Sequence, residues 1–205
     1  MLYACVLAGG RSSRMGKDKA ALQLEGKPLL QRATELLEAA GADFVMISGR
    51  EDVALGFVDL LPSCGPPGGL YSTLKHIKDR HGLDGSPLLL VPVDMPLLTV
   101  PTLQTLLIQS RDVKACHFAG EVFPCVVQAT QELHDYLQDL FGEEGRLLGG
   151  KRSMKGIFEW LQARALPAAD IPAREFMNVN TPEDWHAIQA AIQDQQAEAK
   201  ATQGS

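Results

Sequence analysis

The chain has 205 residues, 45% of them hydrophobic and 21% charged, and carries a formal net charge of −6. That length and composition suit one well-packed core and leave too little chain for two ordinary domains. An acidic balance without an extended basic stretch argues against duplex nucleic acid as a partner.

The four cysteines, Cys5, Cys64, Cys116 and Cys125, contain no C-x-x-C pair. They therefore argue against a disulfide framework or a zinc site and suit a reducing compartment. No basic segment with an apolar stretch and a cleavage site precedes the first apolar run. The longest apolar run, Pro87 to Leu98, is broken by Pro92, Asp94 and Pro96. A cytoplasmic protein with no membrane partner is the expectation.

Met1 to Leu7 reads as a buried strand and ends at Gly9-Gly10. Pro28 to Gly41 has proline at a first helical position, apolar residues at helical spacing and glycine at the exit, which predicts a helix. Strands follow at Phe44–Ser48 and Phe57–Leu60, then a turn-rich stretch and a helix from Gly69 to Arg80. Leu88-Leu89-Leu90-Val91-Pro92-Val93 is apolar on both faces, as a central strand covered on each side must be. Pro92 has to lie near its end, because proline cannot donate within a ladder. A helix at Pro101–Ser110, strands at Val113–His117 and Val122–Gln128, and helices at Gln131–Phe141 and Met154–Ala163 complete the pattern. Phe176 to Asn180 reads as a short strand, and Thr181-Pro182-Glu183-Asp184 as a helix start. The alternation of strands and helices predicts a single α/β domain, a mostly parallel sheet with helices on both faces, over residues 1–188. Residues 189–205 are expected to extend a terminal helix that frays into disorder.

The segment Leu7-Ala8-Gly9-Gly10-Arg11-Ser12-Ser13-Arg14-Met15-Gly16-Lys17-Asp18-Lys19 joins paired glycines to four cations and one acid. Adjacent glycines let backbone N–H groups approach an anion closely, and the cations neutralise it. Neither G-x-x-x-x-G-K-[ST] nor G-x-G-x-x-G fits, so a different nucleotide fold is implied. Asp94 follows the central apolar run, where α/β sheets bind ligands, and a carboxylate there suits Mg²⁺. Asp59 stands ahead of a proline- and glycine-rich turn, and its carboxylate can accept hydrogen bonds from two N–H donors. Gly65-Pro66-Pro67-Gly68-Gly69 stands before a helix, where backbone amides attract anions. Asn178 and Asn180 alternate and so share one face of their strand.

These strings together resemble the nucleotidyltransferases, and most closely the molybdenum cofactor guanylyltransferases. The family loop L-A-G-G-x-S-x-R-M-G-x-D-K is met at every fixed position from Leu7 to Lys19. Related sugar and cytidine enzymes usually read L-A-A-G, so Gly9 points to guanine. Asp59 to Gly69 matches D-x-x-P-x-x-G-P-x-G/A-G, Pro92 to Pro96 matches the family's C/P-x-D-x-P with Asp94 as its acid, and Phe176 to Glu183 matches F-x-N-V/I-N-T-P-E. The resemblance implies a three-layer nucleotidyltransferase fold and transfer of GMP from GTP to the terminal phosphate of molybdopterin, with release of pyrophosphate.

By the same resemblance, Leu7, Ala8, Gly9, Gly10, Lys19, Asp59 and Asp94 bind nucleotide. Lys19, Arg14 and Asp94 act in catalysis, Asp94 holds Mg²⁺, and Gly68, Gly69, Asn178 and Asn180 face the pterin acceptor. A protein that delivers the pterin and a molybdoenzyme that receives the product are the implied protein partners. Pro67 departs from the apolar residue usual between the family's Pro and Gly pair, and removes one N–H. Ser48 stands where many members have Asn, and Phe123-Pro124-Cys125 near a segment bordering the acceptor; neither receives a role. The alternatives on the same residues are a cytidylyl- or sugar nucleotidyltransferase, or a GTP-binding regulatory protein without turnover.

Overall fold

The computed structural model describes residues 1–9, 18–142 and 152–203, with side chains through residue 193. Strand β1 (Tyr3–Leu7) is buried at all five positions because it lies inside the sheet with a helical layer on each face. Its neighbours are β4 (Phe44–Ser48) and β6 (Pro87–Pro92), both parallel to it. The register sets Leu7 opposite Ser48 on one side and opposite Pro92 on the other. These three residues thus form one row across the C-terminal edge of the sheet. Pro92 closes β6, as a residue without an N–H should.

The remaining strands are β5 (Gly56–Phe57), β7 (Ala115–Phe118), β8 (Cys125–Gln128) and β9 (Arg164–Leu166), giving a seven-stranded sheet of order β5-β4-β1-β6-β8-β7-β9. Only β8 runs against its neighbours. A separate hairpin joins β2 (Gln23–Leu24) to β3 (Lys27–Pro28). Its two turn residues, Glu25 and Gly26, both have positive φ, the backbone that a two-residue hairpin of matching twist requires.

Among the described residues six α-helices cover the sheet: α1 (Leu29–Ala39), α2 (Gly65–His81), α3 (Val100–Gln109), α4 (Gln131–Phe141), α5 (Met154–Leu161) and α6 (Pro182–Gln203). Alternate strand residues feed two cores. Ala4, Val6, Leu89 and Val91 pack with Leu29, Leu37, Leu103, Leu106 and Ile188 from α1, α3 and α6. Tyr3, Cys5, Leu88 and Leu90 pack with Leu70, Leu74, Leu133, Leu137 and Ile157 from α2, α4 and α5. Each fully buried leucine contributes roughly 1.5–3 kcal/mol, so the two layers hold the sheet from both sides. No described helix is long and apolar enough to cross a membrane.

Several boundaries differ from those the sequence predicts. The expected strand Phe57–Leu60 ends at Phe57, because the Leu60 N–H donates to Ser72 Oγ at 2.9 Å and draws the chain off the sheet edge toward α2. Helix α2 begins at Gly65, four residues before the expected Gly69, with two prolines in its first turn, where a missing N–H costs nothing. The expected strand at Phe176–Asn180 is a 3-10 turn (Ala173–Phe176) followed by extended chain outside the ladder. There the Val179 N–H donates to Asp94 O at 2.8 Å, which lays the segment against the end of β6.

Candidate active site

In strand order β4-β1-β6 the chain winds to opposite sides of β1, and crevices at such a switch point are where α/β sheets take ligands. Here a cleft of about 310 Å³ opens beyond the C-terminal ends of β1, β4 and β6. Leu7, Ala8, Gly9, Lys19, Asp59, Gly69, Asp94 and Asn178, eight of the residues singled out above, line it. The turn that leaves β1 is fixed by two sheet-like bonds, Ala8 N–H to Ser48 O and Leu7 O from Val93 N–H, both 3.1 Å. Gly10 and Arg14 lie outside the described residues.

One wall is built around Asp59. Ser48, the last residue of β4 and only 1% exposed, donates its hydroxyl to Asp59 Oδ1 in a very short hydrogen bond. The other oxygen, Oδ2, stands 2.5 Å from where a Cβ on Gly9 would lie. Gly49, with φ +83°, crosses so close to Gly9 that a Cβ there would fall well inside contact distance of Gly9 Cα. On the far side, a Cβ on Gly69 would meet Leu7 Cδ2 and Ser48 Oγ at 3.0 Å each. Three glycines therefore close around one carboxylate and its hydroxyl partner, and each is needed for approach rather than for flexibility. Gly68 instead packs behind, against Cys64 and Leu61. The start of α2 borders the cleft through Gly65 and Pro66, but two of the positions that would offer free N–H groups are Pro66 and Pro67. Its anion-binding capacity is correspondingly reduced.

The opposite wall carries Asp94, just beyond β6. Its Oδ2 accepts from Lys19 Nζ at 2.9 Å, and the same ammonium donates to Asn180 Oδ1 at 2.7 Å. Lys19 reaches this point from a 3-10 turn (Lys19–Ala21) that Asp18 caps, its Oδ1 accepting from Ala20 N–H at 3.0 Å. Asp18 Oδ2 is in turn held by Arg50 at 2.7 Å. The Arg50 guanidinium also forms two 2.7 Å bonds to Asp52, and these chiefly push its pKa still further up. Asn180 is set by the start of α6, where Asp184 Oδ2 accepts from the N–H groups of Asn180 (3.0 Å) and Thr181 (2.8 Å). Thr181 Oγ1 accepts back from Asp184 N–H at 3.2 Å, a reciprocal cap. Two backbone donors hold the Asp184 carboxyl below the usual range, with Lys19 a lesser cause.

Asp94 and the carboxamide oxygen of Asn180 are hard oxygen donors, the type magnesium selects. No group of three or more His, Cys, Asp or Glu residues that could hold a metal occurs among the described residues. A small divalent ion needs only one or two protein carboxylates when substrate phosphates and water supply the rest, so the donor set fits. Three of the cysteines are buried and held as thiols: burial pushes the Cys5 thiol up to about 12 and raises those of Cys116 and Cys125. All four are free thiols.

Four contributors had no assigned role in the sequence reading. Ser48 orients Asp59, Arg50 anchors the turn bearing Lys19, and Phe123 forms part of the cleft wall. Glu175, buried, accepts from Thr99 N–H (3.1 Å) and Thr99 Oγ1 (2.9 Å) and so fixes the segment leading to Asn178 against the start of α3. Ser48, a hydroxyl at the end of an apolar strand, and Phe123, in the segment Phe123-Pro124-Cys125, had a local signal, whereas Arg50 and Glu175 had none.

Residues 4–162 match the model of the MobA-like NTP transferase domain. A molybdenum cofactor guanylyltransferase of Xanthomonas euvesicatoria pv. vesicatoria is 37% identical over 183 residues, 89% of this chain and 92% of its own length. One of Rhizobium meliloti is 30% identical, covering 91% of this chain and 90% of its own. Among solved structures, molybdopterin-guanine dinucleotide biosynthesis protein A from Archaeoglobus fulgidus shares the fold with a TM-score of 0.70 at 21% identity, over 95% of this chain and all of its own. With more than half its length under the family model and the cleft at the sheet's switch point, this chain belongs to the MobA-like NTP transferase family and is a nucleotidyltransferase.

Proposed function

We propose that this protein transfers GMP from GTP to the terminal phosphate of molybdopterin, forming molybdopterin guanine dinucleotide and pyrophosphate, with Mg²⁺ on Asp94. The observation that supports it best is the pairing, across one cleft, of a preset carboxylate (Asp59 on Ser48) with a cation between two oxygens (Lys19 between Asp94 and Asn180). The first suits recognition of a base or ribose, and the second suits phosphate chemistry. The relatives' names supply guanine and the molybdenum cofactor.

An oxygen of the acceptor phosphate attacks the α-phosphorus, and the bond from that phosphorus to the oxygen bridging the β-phosphate breaks. Pyrophosphate carries away the electron pair. The nucleophile is already anionic near neutral pH, so no side chain has to remove its proton. What remains is alignment of two anions and neutralisation of the charge that develops. Lys19 supplies one mobile positive charge, and the backbone of Leu7 to Gly9 forms the floor on which the nucleotide rests. Asp59, with Oδ1 occupied by Ser48, offers Oδ2 to a donor of the nucleotide. Asn178, which lines the same cleft, is the residue proposed to meet the acceptor. Asp94 would hold a magnesium ion, which when bound would supply charge neutralisation to the phosphate oxygens.

The test is pyrophosphate release from GTP, CTP, UTP and ATP in turn, with Mg²⁺ and molybdopterin, comparing the native chain with Asp94→Ala. Release from GTP alone, reduced about a thousandfold or more in the variant, is the expected result. Preference for CTP or UTP would assign the chain to a sister activity. GTP binding without release would leave a regulatory protein.

A further inference from the structure

Lys19 Nζ occupies the point where Asp94 Oδ2 (2.9 Å) and Asn180 Oδ1 (2.7 Å) converge. Those are the oxygens from which a divalent ion would be held, so an ammonium bound there competes with the ion for the same donors and repels it. The site is partly shielded, with the Lys19 and Asp94 side chains 18% and 20% exposed, so solvent screens the repulsion between two cations incompletely. The backbone at Lys19 is pinned by Asp18 and, through it, by Arg50, whereas the lysine stem is a flexible four-carbon chain. Exchange of the ammonium from Asp94 to another anion within the cleft therefore requires side-chain rotation only.

We infer that Lys19 is an exchangeable counter-ion: it neutralises Asp94 in the nucleotide-free protein, lowers the affinity of the site for a divalent cation alone, and vacates it when nucleotide phosphates draw the ammonium away. Metal and nucleotide then bind with positive coupling, and by linkage each raises the affinity for the other. The nucleotide-free protein does not become loaded with a stray divalent ion. This rests on the reading that Asp94 takes the metal, but it adds an order of events and a second role for the lysine. Lys19 is not only a phosphate contact; it also occupies the metal's place until substrate arrives.

The measurement is binding of Mn²⁺ alone, without nucleotide or acceptor, followed by loss of the free-ion signal in electron paramagnetic resonance. Lys19→Met and Lys19→Gln should each bind Mn²⁺ at least about tenfold more tightly than the native chain, since Asp94 has lost its counter-ion. Lys19→Arg, which keeps the charge, should remain as weak as the native chain. Adding Asp94→Asn to Lys19→Met should abolish the gain. Circular dichroism checks that each variant is folded, and the two neutral replacements guard against one that is not. Equal affinities in the native chain and both neutral variants would overturn the exchange while leaving Asp94 as a metal ligand. A gain that survives Asp94→Asn would overturn the metal assignment itself. Neither result depends on the identity of the nucleotide or acceptor, so failure of guanylyl transfer is a separate outcome.

Discussion

The two walls of the cleft hold a carboxylate each, and they hold it in opposite ways. Asp59 is bound by a neutral hydroxyl from a buried strand residue and is closed in by glycine backbone, with no room for even a methyl group at Gly9. Asp94 is bound by an ammonium on a long stem and stands beside a carboxamide from a loop. A neutral partner leaves the Asp59 charge for a ligand and sets its direction, whereas a cationic partner cancels the Asp94 charge until something replaces it. The first arrangement suits recognition, which gains from preorganisation. The second suits a reaction in which charge has to be redistributed as anions arrive.

The comparison breaks most completely at Gly49. An alanine there takes a left-handed backbone at φ +83° and drives its Cβ into Gly9 Cα, which cannot retreat without disturbing the turn tied by Ala8 N–H to Ser48 O. Left-handed strain and backbone overpacking together cost about 3 kcal/mol or more. Gly49→Ala should therefore lower stability by that amount in urea unfolding and eliminate nucleotide binding. Lys19→Met, on the other wall, should leave the unfolding curve nearly unchanged. If both variants unfolded alike, the contrast between a preset wall and an exchangeable one would be lost.

A subtler replacement sharpens the same contrast. Ser48→Ala leaves Asp59 in place but removes the bond that sets its rotation. A hydrogen bond to a charged group is worth about 1.5 kcal/mol at the lower end, or roughly tenfold in affinity. The Kd for GTP should rise by about that factor while kcat holds, the signature of lost ground-state binding. A fall in kcat at unchanged Kd would move Asp59 from recognition to chemistry.

Much of this architecture was legible because it depends on local patterns. The apolar runs of β1 and β6, the proline ending β6, the aspartate after it and the Thr181-Pro182-Asp184 cap each follow from neighbouring residues. The direction of β8 was not legible, since a short buried run looks the same whether its neighbour is parallel or antiparallel. Nor was the start of α2, because Gly-Pro-Pro-Gly reads equally as a turn and as a first helical turn. The pairings of Ser48 with Asp59, of Arg50 with Asp18 and of Glu175 with Thr99 join residues 11, 32 and 76 positions apart. They exist only once the sheet has brought their elements together. Resemblance pointed to Lys19, Asp59, Asp94 and Asn178, which line one cleft, but the restraints behind them come from the three-dimensional arrangement.

The smallest expected effect lies at the rim of the exchangeable wall. Asp184 caps α6 and fixes the backbone of Asn180, so Asp184→Ala should lower the melting temperature by a few degrees near neutral pH and reduce turnover only modestly. The pH dependence identifies the cause. Backbone donors depress the Asp184 carboxyl in the folded chain, so the group stabilises above its unfolded value, and that contribution is lost as pH falls through the folded one. The gap between native and variant melting temperatures should hold from pH 7 to about pH 5 and close below about pH 4. A gap that stayed constant into stronger acid would attribute the loss to packing at the start of α6, with the charge on Asp184 playing no part in holding Asn180 beside Lys19.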